Sequence, residues 1–155
     1  MEKTILLVED EENDVFFLKR ALKKADVHAN LQVVRDGQCA IDYLEGRDEH
    51  SDRTRFPIPS LVLLDLKLPH VMGLEVLQWI RHQPEFGGLI VLILTSSRLE
   101  QDIDQAYRIG ANGYLVKPST PEEMLEIVQS IKQFWFEHNQ LPSVSRPAMA
   151  THASV

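Results

Sequence analysis

The sequence predicts an α/β fold: a doubly wound (βα)5 domain with helices on both faces of a five-stranded parallel sheet. Two observations carry this. Five short apolar runs recur about one helix apart, at residues 4–8, 31–34, 61–64, 89–94 and 114–116, and the segments between them hold apolar residues at helical spacing. The runs are continuous instead of alternating, as strands covered on both faces require. Strand–helix alternation then implies right-handed βαβ units, and 155 residues suit one domain with a sizeable core.

Taken in order, the first run TILLV is followed by an apolar stripe of Val15, Leu18, Ala21, Leu22 and Ala25, one face of a helix. After the second run come Ala40, Ile41 and Leu44, with Gly46 placed as a C-terminal cap. The third run, LVLL, precedes Leu74, Leu77 and Ile80, with Val76 and Trp79 alongside. The fourth, LIVLIL, precedes Ile103, Ala106 and Ile109, ended by Gly110. The last helix opens on Thr120-Pro121-Glu122-Glu123, a capping box with Pro at the first helical position. Met124, Ile127, Val128, Ile131, Phe134 and Trp135 then form an apolar stripe for about four α-helical turns, with Leu125 and Phe136 beside or outside it.

Two segments fall outside this pattern. Residues 46–59 form a long polar loop, expected on the sheet edge away from any site. Residues 141–155 hold few large apolar groups and two prolines and are expected to be a disordered tail, which leaves 1–140 as the domain.

Composition narrows the function. Sixteen basic against 23 acidic residues give a net charge of -7, unsuited to nucleic acid, whose phosphates need clustered Lys and Arg. Apolar runs fall well short of the roughly 20 residues of a membrane span, and the N-terminus does not read as a signal peptide. The lone Cys39 suits a reducing compartment. The expectation is a cytoplasmic protein.

The strand ends carry the chemistry. Glu9-Asp10, Asp65, Thr95 and Lys117-Pro118 each directly follow an apolar run, and ligand sites of open parallel sheets lie outside the carboxyl ends of the strands. Glu9, Asp10 and Asp65 would bring three like charges together, an arrangement that a hard divalent cation such as Mg2+ relieves. Lys117 and the Thr95 hydroxyl suit phosphoryl oxygens. A carboxylate nucleophile, a metal and a cation around one point are the parts needed to receive a phosphoryl group. Singly, an acidic pair after a strand reads as a helix start and Lys-Pro as a turn; four such features at four strand ends do not. Neither G-x-x-x-x-G-K-[ST] nor G-x-G-x-x-G follows a strand. Haloacid-dehalogenase-like phosphatases need a second acid where this chain has Lys67. The histidines at 28, 50, 70, 82, 138 and 152 lack zinc-ligand spacing.

Over roughly residues 3–138 the motifs LLVEDEEND, LVLLDLKLP with Gly73 eight residues after Asp65, ILTSS and GANGYLVKPS resemble the receiver domain of two-component response regulators. The resemblance implies a flavodoxin-like fold with strand order 2-1-3-4-5. It implies Asp65 as phosphoacceptor, taking its phosphoryl group from a sensor histidine kinase, and Glu9, Asp10, Asp65 and the Lys67 backbone carbonyl as Mg2+ ligands. Thr95 would be the switch hydroxyl, Lys117 the phosphate-binding lysine, Pro118 a proline after a cis bond, and Tyr114 the switch aromatic. Lys67 and Ser97 would border the pocket. Glu9 stands where many relatives have Asp, and Met72 where Asp is common. The family's role is that of a phosphoprotein switch and not of an enzyme beyond self-phosphorylation and autodephosphorylation. The loop before the third strand and the closing helix IVQSIKQFWFEHNQLP resemble single-domain regulators that partner bacterial phytochromes. A phosphorylation-independent interaction module is the alternative, disfavoured by the intact Asp65, Thr95 and Lys117. Three adjacent aromatics, Phe134-Trp135-Phe136, cannot all face one core. A homodimer through the terminal helix and the fifth strand is expected.

Overall fold

The computed structural model describes residues 2–144. Five parallel strands, β1 (Lys3–Val8), β2 (Ala29–Val34), β3 (Leu61–Leu64), β4 (Ile90–Thr95) and β5 (Gly113–Val116), form one sheet in the order β2-β1-β3-β4-β5. Between and after them run α1 (Glu12–Lys24), α2 (Gly37–Glu45), α3 (Gly73–His82), α4 (Glu100–Ile109) and α5 (Pro121–Ile131). The fold class, strand order and all five strands agree with the sequence reading.

The continuous apolar runs have the reason expected of them. Side chains alternate across a strand, so Leu6, Val8, Val62, Leu64, Val91 and Ile93 meet the layer of α2, α3 and α4. Ile5, Leu7, Leu61, Leu63, Leu92 and Leu94 meet α1 and α5. Both faces being covered, no strand position in β3 or β4 can be polar without loss, and all ten residues of the two strands are buried.

Three details depart from expectation. In α2 the buried face is Ala40, Tyr43 and Leu44, with Ile41 only partly buried. Tyr43 turns inward because the polar loop is a packed cap: its hydroxyl donates to Pro57 O at 2.8 Å, and its ring stacks near His50 and Phe56. Arg53 from the same loop donates to the carbonyls of Tyr43 (2.8 Å), Leu44 (2.7 Å) and Phe56 (3.2 Å). It thereby supplies a donor to the Leu44 carbonyl and a second one to the Tyr43 carbonyl, which also accepts from Gly46 N, beside Gly46 in its left-handed φ of 74°. This loop feeds the N-terminal end of β3, where Ser60 N donates to Thr4 O, so it lies at the sheet edge opposite the strand carboxyl ends, as expected.

The last helix does not stay α-helical. Thr120 accepts from Glu123 N at 3.1 Å and opens α5 as the motif implies, but Lys132–His138 is π-helical, with Asn139 N donating to Phe134 O. Spacing of five brings Phe136 under Ile131, so Trp135 and Phe136 pack partly buried on the α1–α5 core, while Phe134 is 52% exposed. The expected assignment of Phe134 to the buried stripe and of Phe136 to the outside is reversed, because the π turn shifts the register.

The segment expected to be a disordered tail begins with residues 141–144, which have no helix or strand yet are packed. Leu141 lies on the α1–α5 core and Val144 on the opposite one. Residues 145–155 lie outside the described residues. Among the described residues no helix is long and apolar enough to cross a membrane.

Candidate functional site

The strand ladder itself delivers the site residues. Beyond β1, Glu9 N donates to Val34 O at 3.0 Å; beyond β3, Asp65 N donates to Val8 O at 3.1 Å; beyond β5, Lys117 N donates to Thr95 O at 2.8 Å. Each functional residue is thus still held by a neighbouring strand as the chain leaves the sheet, which fixes its side chain better than a free loop would. Glycine makes the last approach possible. A Cβ on Gly73 would sit 2.1 Å from Asp65 O and 2.6 Å from Leu66 Cα, so only glycine lets α3 start directly beneath Asp65.

Glu9, Asp65 and Lys117 meet, as the sequence indicates. The Lys117 ammonium donates to Asp65 Oδ2 at 2.7 Å, lies 2.8 Å from Glu9 Oε1, and donates to Asp14 Oδ2 at 2.8 Å. The Glu9, Asp65 and Lys117 side chains are only 3%, 6% and 12% exposed. Asp10 is exposed, but carboxylate oxygens of Glu9, Asp10 and Asp65 all lie within 4.8 Å of one another. Backbone groups steady the acids: Glu11 N donates to Glu9 Oε2 and Lys67 N to Asp65 Oδ1. The Lys67 side chain is exposed.

The electrostatics show how the pocket is strained toward a cation. Burial, and secondarily the nearby Asp65 charge, push the Glu9 carboxyl up to about 7 against the opposing hydrogen bonds from Lys117 and Glu11 N. Burial alone would lower the Lys117 ammonium, yet its bonds to Asp14, Asp65 and Glu9 outweigh this and hold it above its ordinary value. One ammonium therefore balances a group of acids that outnumber it. Three clustered carboxylates are hard oxygen donors of the kind Mg2+ or Mn2+ takes, and these residues fit such an ion.

Thr95 completes the pocket. It ends β4, is fully buried, and its hydroxyl has no hydrogen-bond partner among the described residues. A buried hydroxyl left unpaired is costly, and Thr95 stands at the end of the strand between those that carry Asp65 and Lys117. Tyr114 lies apart from the acids: its ring is half-buried on the α2–α4 core and its hydroxyl donates to Ser97 O at 3.0 Å. Burial raises its phenol. Ser97, expected to border the pocket, is turned toward α4 instead, donating to Asp102 Oδ2 at 2.5 Å and accepting from Leu99 N. It ties the β4–α4 loop to the helix, because the hydroxyl satisfies a backbone donor at the helix start. No cis peptide bond occurs among the described residues, so the bond before Pro118 is trans; the small trans preference of X–Pro bonds lets sequence fix neither form.

Two contacts had no counterpart in the sequence reading. They are Asp102, accepting from Ser97, and Asp14, present there only within the motif LLVEDEEND, accepting from Lys117.

A doubly wound parallel sheet with acids, a hydroxyl and a lysine at its strand carboxyl ends defines the receiver class of signalling domain. The response regulator receiver domain model matches residues 5–129, and the chain belongs to that family. Among its relatives, response regulator Rcp1 of Synechocystis sp. is 36% identical over 141 residues, 91% of this chain and 94% of Rcp1. The crystal structure of the Mn(2+)-bound form of Rcp1 has a TM-score of 0.82, covering 91% of this chain and 99% of that one. The phosphorylated cyanobacterial phytochrome response regulator RcpA is 35% identical with a TM-score of 0.86, over 92% of this chain and 100% of RcpA. The bacteriophytochrome response regulator RtBRR is 38% identical with a TM-score of 0.74, over 99% and 92% of the two chains.

Proposed function

We propose that this protein is a phosphorylation-switched response regulator that takes a phosphoryl group from a phytochrome-type sensor histidine kinase onto Asp65. The observation that carries the reading is the Lys117 ammonium on Asp65 and Glu9, next to the unpaired Thr95 hydroxyl. In transfer, the P–N bond of the kinase phosphohistidine breaks and a P–O bond to an Asp65 oxygen forms, with the imidazole keeping the electron pair and taking up a proton. Glu9, Asp10, Asp65 and the Lys67 backbone carbonyl would hold a Mg2+ ion, whose chemistry there would be neutralisation of the phosphoryl charge. Lys117 pairs with one phosphoryl oxygen and the Thr95 hydroxyl donates to another. Drawing Thr95 inward frees Tyr114 to exchange its bond to Ser97 for an inward position, biasing two arrangements of the β4–α4–β5 face. The protein is a switch and not an enzyme beyond labelling itself from small donors and shedding its own phosphate. We place it in the cytoplasm with its kinase.

The likeness to RcpA and RtBRR supports the phytochrome link. The half-exposed Phe134, on the groove that Leu115, Ile127, Ser130 and Trp135 line beside edge strand β5, supports a homodimer through the terminal helix and β5. Incubation with acetyl phosphate and Mg2+ followed by intact mass tests the core of the proposal. One phosphoryl group is expected on the wild type and none on Asp65→Asn. Full labelling of that variant overturns the assignment, and an unlabelled wild type favours a phosphorylation-independent interaction module.

A further inference from the structure

We propose that Asp14 is a positioning residue for Lys117: it holds the ammonium at the lip of the pocket when a divalent cation takes the inner carboxylates. The inference rests on the reading of Glu9, Asp10 and Asp65 as the cation site. An ammonium has three N–H donors; that of Lys117 donates to Asp65 and Asp14 at 2.7 and 2.8 Å and lies 2.8 Å from Glu9. The three partners are not equivalent. Glu9 and Asp65 belong to the group whose oxygens lie within 4.8 Å of one another, and Asp14 stands outside it. Glu9 and Asp65 are almost fully buried, whereas the Asp14 side chain is 35% exposed. Among the described residues Asp14 has no other side-chain hydrogen bond.

This asymmetry sets what happens when a cation arrives. Lys117 and the cation compete for the same Glu9 and Asp65 carboxylates, and two positive charges so close repel. A lysine with no other partner would have to stay on those oxygens or give up its ion pairs altogether. Asp14 offers a third place, on α1 and outside the acid group, so the ammonium can withdraw while still paired and still within reach of Asp65. Lysine suits this because it is a point charge on a flexible four-carbon stem. Removing Asp14 therefore weakens the cation twice: one negative charge leaves the neighbourhood, and Lys117 is confined to the cation's own ligands.

The test compares Asp14→Ala with Glu12→Ala. Glu12 is another carboxylate in the first turn of α1, paired with Arg35 and not with Lys117, so its loss removes the same charge from the same helix end. Mg2+ affinity of the unphosphorylated protein is measured by titration, and hydrogen exchange of the Lys117 ammonium by 15N NMR in the metal-free protein. Asp14→Ala is expected to weaken Mg2+ binding about threefold to fivefold, the range of a charge pair with one partly exposed member, and to speed ammonium exchange as one N–H loses its acceptor. Glu12→Ala is expected to stay within about twofold of wild type, and Asp14→Glu to restore most of the affinity. Equal Mg2+ affinity in Asp14→Ala and wild type overturns the role of Asp14 while leaving the cation site standing, as does an equal loss in Glu12→Ala. A wild type that binds no Mg2+ overturns both.

Discussion

Thr95 offers the sharpest test of the switch reading. Its side chain is fully buried and its hydroxyl unpaired. A buried hydroxyl without a partner costs about 1–3 kcal/mol. Thr95→Val replaces the hydroxyl by a methyl of nearly the same shape, keeps the branched Cβ that suits a strand, and leaves the Thr95–Val116 register untouched. The variant should therefore be more stable than wild type by about 1–2 kcal/mol, raising Tm by about 2–4 °C per kcal/mol for a chain of this size. Most substitutions of a buried residue destabilise, so a gain in this direction is diagnostic. Urea unfolding of the unphosphorylated proteins, repeated with the acyl-phosphate mimic beryllofluoride and Mg2+, measures it. In the second condition the sign should reverse relative to wild type, because only the threonine can donate to the new oxygen, and chemical shifts at Tyr114 should then respond in wild type alone. A variant less stable than wild type by more than about 1 kcal/mol would mean that the hydroxyl is hydrogen-bonded at rest, and the switch reading would lose its physical basis.

Other outcomes follow from the same contacts. Arg53→Met should destabilise the domain by about 2–3 kcal/mol, since three carbonyls lose a charged donor each worth about 1 kcal/mol, without altering Asp65 labelling; a fall in Tm of a degree or less would show the loop to be a passive insertion. Phe134→Asp should shift a dimer to monomer in sedimentation at unchanged Tm, because Phe134 and not Phe136 carries the exposed ring; a wild type that is monomeric with and without beryllofluoride would assign that surface to a different partner.

How much of this was legible in the sequence depended on whether one rule decided the position. Burial on both faces forces continuous apolar runs, so the strands and their order of use were readable, and the strand carboxyl ends carried Glu9, Asp10, Asp65, Thr95 and Lys117 to one spot by topology alone. Asp14 was not readable as a Lys117 partner. An acid in the first turn of a helix is favoured by the helix dipole in any case, so its presence in EDEEND says nothing about a lysine 103 residues away. Arg53 was hidden for a similar reason, since a basic residue in a polar loop is the ordinary condition of loops, and its three carbonyl partners were visible only once α2 and the loop were placed together.

The terminal helix shows a different kind of limit. Reading it at 3.6 residues per turn put Phe134 inside and Phe136 outside, and no single residue in KQFWFEH contradicts that period. The structure favours spacing of five there because it lets Trp135 and Phe136 both reach the α1–α5 core while Lys132 donates to Ala25 O at 2.9 Å, closing the end of α1. Phe136 takes the place of Phe134 on the core beside Trp135 and a helix cap is gained, so the packing at the junction of α1 and α5, and not the local sequence period, selects the π turn. That selection leaves the exposed ring beside β5, which is why the interface residue to test is Phe134.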